Sequence, residues 1–532
     1  SQERVVQHRA LDAQRNLVRV LENPARYPHA ASHVSVIETH ISFVILTGNF
    51  AYKIKKSIDL GFLDYTTLDK RRFYCEEELR LNGRLAPRIY LAVVPICGPA
   101  DDPRIGGTGE AIEYAVKMRE FAQEGLLDRV LRRGELTPHH LDALAMTVAS
   151  FHTRIARASQ ADAFGAPEAI CQPMKQNFSQ IRALLESAAE RRDLDALEAW
   201  SEQEFARLVG ILESRERSGF VRECHGDLHL GNIALVEGEV QIFDGIEFNP
   251  NLRWIDVINE TAFLVMDLAE RGRSDYASRF LNDYLEIGGD YDGLRVLTFY
   301  LVYRAMVRAK IARIRATQDG LTASERKKAL SGHAAYIGYA RNAIAPRPRA
   351  LIITHGVSGS GKTFVAQAVL EAIGAVRVRS DVERKRLHDL PPLSRSRSDV
   401  GAGLYDEAAT RATYERLVQL ARVVSDAGFS VIIDAAFLKT WQRDLARALA
   451  GELAVPFVII DCQASEEVLR HRIASRERAA RDASEATLTV LDNQLRNRQP
   501  LNTGETASAV TIGPSTMNPA QAVEALRQRL RV

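Results

Sequence analysis

The segment Gly356–Thr363 has the sequence GVSGSGKT. More than any other feature of the sequence, it restricts the folds that this chain can adopt. It fits the pattern GxxxxGK[ST], it follows the apolar run LIITH, and it opens a helical pattern, which is the context expected of a P-loop. Glycines in such a turn let backbone N–H groups surround phosphate oxygens, and the helix N-terminus favours negative charge. The last third of the chain is therefore predicted to bind nucleotide phosphates.

The residues of this loop have distinct expected roles. Lys362 is predicted to bridge the β- and γ-phosphates of ATP, and the Thr363 hydroxyl is predicted to bind Mg²⁺. ATP and Mg²⁺ are thus the expected cofactors. The remaining phosphate contacts are expected from Gly356, Ser358, Gly359, Ser360 and Gly361.

A proline-containing segment predicts a domain boundary ahead of the loop. Residues 345–349 read APRPR, and two prolines at alternate positions favour extended backbone and stop the preceding helix. Beyond them, apolar strands alternate with amphipathic helices, which indicates a parallel sheet covered on both faces. We predict a linker at residues 346–349 and an α/β P-loop NTPase domain at residues 350–532.

Two carboxylates follow predicted strands of this domain, and the carboxyl ends of parallel strands face the ligand crevice. Asp381 is predicted to accept a proton from an attacking hydroxyl, with a helix N-cap as its structural alternative. Arg384, one helical turn later, is predicted to hold an anionic group of the substrate. Asp434 is predicted to orient a magnesium-bound water, again with a purely structural alternative.

An arginine-rich helix follows, in the sequence VLRHRIASRERAARDASEATL. Such a helix before a loop of small residues is typical of a mobile lid that brings guanidinium groups onto a transferring phosphoryl group. Arg472 and Arg476, four residues apart on one face, are the predicted phosphate contacts. A solvated helix face is the alternative for each arginine.

These features together resemble the small P-loop kinases, namely gluconate kinases, polynucleotide 5′-hydroxyl kinases and zeta-type toxins. The resemblance rests on the P-loop, the SDVER segment, the VIIDAAF strand and the arginine-rich helix. It implies phosphorylation of a hydroxyl, with Asp381 as the matching general base, and it does not select the acceptor.

A second pattern for phosphoryl transfer lies in the first two thirds of the chain. Residues 225–232 read HGDLHLGN, and Phe243-Asp244 ends the next predicted strand. A protein-kinase-type site needs an aspartate near the acceptor hydroxyl, an asparagine five residues later for magnesium, and a second magnesium aspartate on a neighbouring strand. Asp227, Asn232 and Asp244 meet that spacing.

This pattern resembles the aminoglycoside phosphotransferase and choline-kinase-like family, which implies a protein-kinase-like fold. In that fold a lysine on the third strand pairs with a glutamate on the first helix. Lys53 is the expected lysine, with Lys55 as the alternative on the same face, and Glu78 is the expected partner ahead of its neighbours at 76 and 77. Met118, in the sequence MRE, resembles the hinge that contacts adenine.

Strands with one helix followed by a helical stretch predict a two-lobed α+β domain. Its N-lobe is predicted at residues 1–118 and its helical C-lobe at residues 119–345. The loop between the first two strands, Ile37–Ser42, departs from the family because it contains no glycine. A bulky, partly anionic loop would repel a triphosphate unless it folds away.

The amino-acid composition limits the kinds of partner that this chain is expected to bind. Basic residues outnumber acidic ones by only 70 to 68 in the whole chain and by 26 to 21 in residues 347–532, which is too little to demonstrate nucleic-acid binding. No run of about 18 apolar residues occurs, so no membrane partner is expected. The five cysteines form no CxxC pair and the start of the chain lacks a signal-peptide core, which predicts a cytoplasmic location.

The sequence therefore predicts an ATP-dependent phosphotransferase with two nucleotide sites. Its acceptor is expected to be a hydroxyl group of a small molecule, such as a sugar, an aminoglycoside or a nucleotide-like compound. One alternative is a regulatory P-loop ATPase gated by a catalytically silent kinase-like module. The other is a nucleic-acid end kinase.

Overall fold

The computed structural model describes residues 2–159, 161–391, 406–479, 486–513 and 518–530, with side chains omitted for residues 2–8 and 476–479. The chain divides into two compact units. The first unit comprises Ser1–Ala143, Ser150–Gln176 and Phe205–Asp267. The second unit comprises Leu144–Ala149, Asn177–Glu204 and Leu268–Val532, so it joins part of the predicted helical lobe to the predicted P-loop domain.

The first unit is built around an antiparallel sheet of six strands in the order β1-β2-β3-β6-β4-β5. Residues 48 and 49 form the tight turn between the second and third strands, where Gly48 has a φ of 95° that favours glycine. The strands are β1 Ser35–Glu38, β2 Ser42–Leu46, β3 Phe50–Lys55, β4 Tyr90–Cys97, β5 Arg104–Ile105 and β6 Ala111–Arg119.

Two helices pack against this sheet, and β3 shows that they lie on opposite faces. Helix α1, Gln2–Val20, shares a core with Tyr52 and Ile54 of β3. Helix α2, Leu68–Asn82, begins at the capping side chain of Thr67 and lies on the face to which Lys53 points. Because side chains alternate along a strand, β3 contributes Tyr52 and Ile54 to one face of the sheet and Lys53 to the other. Helix α1 was not foreseen in the sequence.

The rest of the first unit carries the predicted catalytic loop, residues 225–232. Two short antiparallel pairs, β7 with β10 and β8 with β9, accompany the helices there. Helices α4, α5, α6 and α8 contribute residues to both units. The elements are α3 Leu127–Arg132, α4 Pro138–Arg154, α5 Pro167–Arg182, α6 Ala188–Arg217, β7 Val221–Glu223, β8 Ile233–Val236, β9 Glu239–Ile242, α7 Pro250–Arg253, β10 Trp254–Asp256 and α8 Val257–Glu270.

The second unit contains a five-stranded sheet in which every pair of strands is parallel. The strands lie in the order β12 (Val376–Arg379), β13 (Val431–Asp434), β11 (Leu351–His355), β14 (Phe457–Cys462) and β15 (Ala509–Ile512). The three central strands begin with continuously apolar runs, as expected where both faces are covered, whereas the edge strand β12 has the sequence VRVR. Helices α12 and α19 share a core with alternate strand residues, while α14 and α15 also pack against the strands. The predicted parallel sheet is confirmed.

The elements of this unit follow in chain order. Before the sheet come α9 Ser274–Gly288, α10 Leu294–Ala316 and α11 Ala323–Ile344. The sheet region contains β11 Leu351–His355, α12 Lys362–Ile373, β12 Val376–Arg379, α13 Ser380–Arg386, α14 Glu407–Asp426, β13 Val431–Asp434, α15 Thr440–Glu452, β14 Phe457–Cys462, α16 Glu466–Ala479, α17 Leu488–Asn497, α18 Thr503–Ala507, β15 Ala509–Ile512 and α19 Pro519–Leu530. Among the described residues, the helices include none with the length and apolar character that a membrane span needs.

Candidate functional site

The first unit brings three charged residues together that the sequence predicts to act on a nucleotide. Lys53 Nζ on β3 donates to Glu78 Oε1 on α2 at 2.9 Å and to Asp244 Oδ1 at 2.9 Å. The Lys53 side chain is 12% exposed and that of Asp244 is 49% exposed, so the pair reaches solvent at the Asp244 end. The arrangement leaves a carboxylate and an ammonium open to a nucleotide and its metal.

Asp244 occupies its place because of an unusual backbone conformation. Its φ is 60°, in the left-handed region that aspartate tolerates better than most side chains. Its N–H donates to the hydroxyl oxygen of Tyr90 at 3.2 Å. The turn after β9 therefore directs the Asp244 carboxylate toward Lys53.

Lys55, the alternative lysine, contacts the same glutamate. Its Nζ donates to Glu78 Oε2 at 2.7 Å and also to Glu247. Tyr65 donates its hydroxyl to Glu247 at 2.8 Å. Burial alone would raise the pKa of Glu78, but the charges of Lys53 and Lys55 hold that pKa well below its ordinary value. Glu78 is thus an anionic anchor for both lysines, and only Lys53 extends to Asp244.

The catalytic-loop pattern places Asp227 and Asn232 in direct contact. The side-chain amide of Asn232 donates to Asp227 Oδ2 at 2.9 Å and to the Asp227 carbonyl at 3.0 Å. His229 Nε2 lies 3.4 Å from the same carboxylate oxygen. The Asp227 side chain is 37% exposed, which leaves it accessible to a substrate hydroxyl.

Buried residues hold this loop from behind. His225 accepts a hydrogen bond from Asp227 N at its Nδ1, at 3.2 Å, and donates from Nε2 to the Phe243 carbonyl at 2.8 Å. Burial lowers the pKa of His225, which agrees with the neutral ring that this pattern requires. Glu260 accepts from Gly226 N at 2.7 Å and contacts His152 Nε2 at 2.7 Å.

The glycine-free loop between β1 and β2 is neutralised rather than left anionic. Glu38 lies 2.8 Å from Lys56 Nζ and 3.2 Å from Arg15 Nη2. Hydrogen bonds from the Lys56 side chain chiefly lower the pKa of Glu38, so it stays ionised and paired. Met118, the predicted hinge residue, lies near the end of β6 opposite Ala51 of β3.

The P-loop of the second unit has the backbone that its glycines permit. Gly356, Gly359 and Gly361 have φ values of 143°, 82° and 93°. A Cβ on Gly356 would lie 2.6 Å from the Cys462 carbonyl oxygen and from Ser360 Oγ, so no larger residue fits there. Lys362 begins helix α12, and its Nζ donates to the Val357 carbonyl at 2.9 Å. Thr363 follows in the first turn.

Two later helices brace this loop. Gln494 on α17 accepts from Ser358 N at 2.7 Å, and Arg472 on α16 donates to the Gly359 carbonyl at 3.0 Å. Arg472 therefore lies at the P-loop, and its contact with a phosphate stays a prediction. Arg476 is in the same helix, but its side chain lies outside the described residues.

Asp381 and Arg384 lie on the short helix after β12. The Asp381 side chain is 29% exposed, and its Oδ1 is 3.9 Å from Arg384 Nη1. Helix α13 begins at Ser380 and its N-cap position is Arg379, so Asp381 is inside the first turn and is not the N-cap. The structural alternative to a chemical role is thus weaker than the sequence indicates.

Asp434 ends β13, the strand between β12 and the P-loop strand β11. It is 5% exposed, and its Oδ2 accepts no hydrogen bond from the residues that the structure describes. Ser360 Oγ in the P-loop is buried and likewise has no hydrogen-bond partner among them. Buried polar atoms normally have partners, so these two oxygens fit a metal ion and its nucleotide.

Several residues of the two sites escape sequence reasoning. Glu247 lies three positions after Asp244, and this short spacing could have indicated that Glu247 belongs to the same site. Gln494 carries no signal, because 136 residues separate it from Ser358. His355, which ends β11, contacts Asp461 of β14 through Nδ1 at 2.7 Å, and neither residue belongs to a recognised pattern.

Comparisons with known proteins agree with this geometry. Residues 72–297 match the family described as "Phosphotransferase enzyme family", and residues 351–501 match the family described as "AAA domain". The protein "Uncharacterized protein Rv2004c" of Mycobacterium tuberculosis is 30% identical over 451 residues, which cover 85% of this chain and 88% of that protein.

Solved structures also align with this chain. "Amicoumacin kinase hAmiN", solved with AMP-PNP, Ca²⁺ and Ami, is 15% identical, with a TM-score of 0.38, over 64% of this chain and 96% of that one. The Mycobacterium tuberculosis APS kinase CysC is 22% identical, with a TM-score of 0.26, over 34% of this chain and 97% of that one.

The two family matches follow each other along the chain and confirm the predicted fold class, a kinase-like α+β domain followed by an α/β P-loop domain. They also support ATP-dependent phosphate transfer, which is the activity these domain types share. The chain belongs to the same family as the mycobacterial protein Rv2004c, and it is a kinase or phosphotransferase that joins a phosphotransferase-family domain to an AAA domain.

Proposed function

We propose that this chain transfers the γ-phosphate of ATP to a hydroxyl group of a small molecule, with the P-loop site as its active centre and a second ATP site in the first unit. The observation that carries the proposal is the edge of the parallel sheet. There the P-loop after β11, Asp434 at the end of β13 and Asp381 just after β12 follow three adjacent strands. Ligands of open parallel sheets bind at this edge.

The residues at this edge divide the chemistry among them. ATP with Mg²⁺ supplies the phosphoryl group, and Thr363 and Asp434 are the residues that would hold the metal. Asp381 accepts the proton of the acceptor hydroxyl. The hydroxyl oxygen forms the new bond to the γ-phosphorus, and the bond between that phosphorus and ADP breaks. Lys362 and Arg472 balance the negative charge of the phosphates, with Arg476 as a further candidate, and Arg384 holds an anionic group of the acceptor.

The second ATP site uses the charged residues of the first unit. Lys53 orients the phosphates, Glu78 fixes Lys53, and Asp244 and Asn232 would hold the metal. Asp227 accepts the proton of an acceptor hydroxyl, and Met118 contacts adenine. The contacts of Lys53 with both Glu78 and Asp244 support this assignment, because they hold an ammonium and a carboxylate together where the Asp244 end is open to solvent.

A small acceptor is favoured over a nucleic-acid end. The P-loop part of the chain has an excess of only five basic residues, and several of its arginines pair with carboxylates. Arg443 binds Glu505 and Arg470 binds Glu466, for example. A channel for nucleic acid needs a track of available positive charge along the backbone.

The test is a screen of labelled γ-phosphate transfer by the full chain to sugars, aminoglycosides, nucleosides and oligonucleotides. Each acceptor is assayed with the wild type, with Lys362→Ala and with Asp227→Ala. We expect a small-molecule product that Lys362→Ala abolishes. Transfer to oligonucleotides alone would favour the end kinase, and ATP hydrolysis that an acceptor stimulates without being phosphorylated would favour the regulatory ATPase.

A further inference from the structure

Glu286 on α9 contacts two arginines of β12, within the second unit. Its Oε1 accepts from Arg379 Nη1 at 2.9 Å, and its Oε2 accepts from Arg377 Nη2 at 3.2 Å. Helix α9 belongs to the part of the chain matched by the phosphotransferase family, whereas β12 belongs to the AAA match. An acidic residue from outside the P-loop domain thus binds side chains at the edge of its sheet.

Other contacts fix α9 against this strand. β12 is the edge strand of the sheet, and its free backbone groups are satisfied by side chains. Asn282 accepts from Arg377 N at 2.7 Å and donates to the Ala375 carbonyl at 3.0 Å. The Tyr291 hydroxyl donates to the Arg377 carbonyl at 3.3 Å. Glu286 is therefore presented to β12 from a fixed position.

Arg379 lies between two carboxylates. It is paired with Asp434 across the parallel strands, and its Nε is 3.9 Å from Asp434 Oδ2, which is beyond hydrogen-bond distance. Its Nη1 instead binds Glu286. A movement of about 1 Å would convert the Arg379–Asp434 approach into a direct charged hydrogen bond.

The charges in this group are shielded from water. The side chains of Arg379, Glu286 and Asp434 are 11%, 16% and 4% exposed. Burial by itself would raise the pKa of Glu286, but the nearby charges of Arg379 and Arg377 hold its pKa below the ordinary value. Glu286 is thus ionised and competes with Asp434 for the guanidinium.

We propose that Glu286 is a positioning residue for the P-loop site, which holds Arg379 away from Asp434 and so keeps the Asp434 carboxylate available to magnesium. The inference rests on the proposed function, because it takes Asp434 as a metal-binding residue. Without Glu286, the Arg379 guanidinium binds Asp434 and competes with the metal. Since the competition is for one carboxylate, excess magnesium overcomes it.

The experiment is a Mg²⁺ titration of the full chain, followed by both ATP turnover and calorimetric ATP binding, with Asp227→Ala present in every protein so that the first-unit site does not turn over. In Glu286→Gln we expect the half-saturating Mg²⁺ concentration to rise about 10-fold or more, the change typical of residues behind a metal ligand. Turnover at saturating Mg²⁺ should stay near that of the parent. Adding Arg379→Gln removes the competitor and should return the Mg²⁺ requirement toward the parent value.

The matched control is Arg279→Gln. Arg279 lies on the same helix and binds Glu371 of α12 at 2.9 Å, so its loss also removes a charged contact between α9 and the sheet region. Glu286 binds Arg377 and Arg379 instead, so the Mg²⁺ requirement of Arg279→Gln should match that of the parent. An equal rise in this control would overturn the proposal, because loosening of α9 would then explain the effect.

Metal-free ADP binding and the melting temperature establish whether Glu286→Gln is folded. If Glu286→Gln is not folded, the single variant Arg379→Gln is the test. The proposal expects the Mg²⁺ requirement of this variant to be no higher than that of the parent, and a higher requirement contradicts the proposal. An unchanged Mg²⁺ requirement in folded Glu286→Gln also contradicts it. Absence of Mg²⁺-dependent turnover in the parent would instead count against the proposed function.

Discussion

The Nζ atom of Lys53 lies 2.9 Å from Asp244 Oδ1, although 191 residues separate the two in the chain. The contact joins β3 of the antiparallel sheet to the turn after the β8–β9 hairpin. Glu78 completes the group from α2. Three elements far apart in sequence thus assemble the charges of the proposed nucleotide site, and Lys55 lies beside them on the same strand.

The two neighbouring lysines should respond differently to removal. Lys53→Met should abolish metal-dependent nucleotide binding by the first unit with a small loss of stability, because Asp244 is half exposed and can be hydrated. Lys55→Met removes a positive charge that balances the buried carboxylates of Glu78 and Glu247. It should lower the free energy of unfolding by about 3–5 kcal/mol. Calorimetry in a Lys362→Ala background and urea unfolding measure the two effects, and equal stability losses would contradict this division.

His225 should make the first unit sensitive to acid. Its pKa is lowered in the folded protein, mainly by burial, so the unfolded state binds its proton more readily. The stability it contributes is present above the unfolded pKa of about 6.5 and is lost as the pH falls through the folded pKa. The melting temperature of the wild type should therefore drop more steeply from pH 7 to pH 5 than that of His225→Asn. Parallel curves would show that His225 does not titrate in this way.

Sequence reasoning predicts most about this fold where the residues concerned are close together in the chain. The P-loop needs its glycines at fixed spacing, and the interval from Asp227 to Asn232 is set by one turn of the catalytic loop. Both parallel and antiparallel sheets follow from hydrophobic periodicity. The contact of Glu286 with Arg379 could not be foreseen in this way, because 93 residues separate them and neither belongs to a motif.

Other features depend on packing that the sequence does not encode locally. The start of the chain has a charged pattern, yet residues 2–20 form α1 because Leu17 and Val18 complete the core behind the antiparallel sheet. The choice between Lys53 and Lys55 is also decided by tertiary structure, since both reach Glu78 and only Lys53 contacts Asp244. The roles of these residues stay predictions.

Lys362→Ala should remove most transfer by the P-loop site while the protein stays folded. The side chain donates a hydrogen bond to the Val357 carbonyl and is only partly buried, so the stability change should lie within about 0.5 kcal/mol. Turnover should fall about 10²–10³-fold, as for loss of one charge-stabilising group. Transfer assays with Asp227→Ala as the companion variant measure this, and unchanged turnover would assign the chemistry to the first unit.

Arg443 and Glu505 form a buried pair whose loss should affect stability most. Arg443 Nε donates to Glu505 Oε1 at 2.7 Å, and their side chains are 1% and 0% exposed. Arg443→Met removes the partner of the buried Glu505 carboxylate and should lower the free energy of unfolding by about 3–5 kcal/mol. Replacing both residues by Met and Leu should recover part of that loss, and chemical denaturation of the three proteins provides the comparison. A single variant as stable as the wild type would show that the pair contributes nothing.

Asp381→Asn tests the general base most directly. The change keeps size and polarity but removes the proton acceptor, so transfer at the P-loop site should fall about 10²–10⁴-fold. ATP affinity should hardly change, because the predicted phosphate contacts are in residues 356–363. Helix α13 has Arg379 at its N-cap, so the loss of charge in the first turn should cost only about 0.3–1 kcal/mol.

The matched control for this variant is Asp389→Asn, the same chemical change at an exposed site eight residues later. Its φ of 55° suits asparagine, so neither stability nor transfer should change. Single-turnover transfer, ATP binding and melting temperature are measured on both variants. Full transfer by Asp381→Asn would exclude it as the base, since asparagine cannot take the proton. Early melting with weak ATP binding would instead show that Asp381 supports the fold through Arg384, which lies 3.9 Å away.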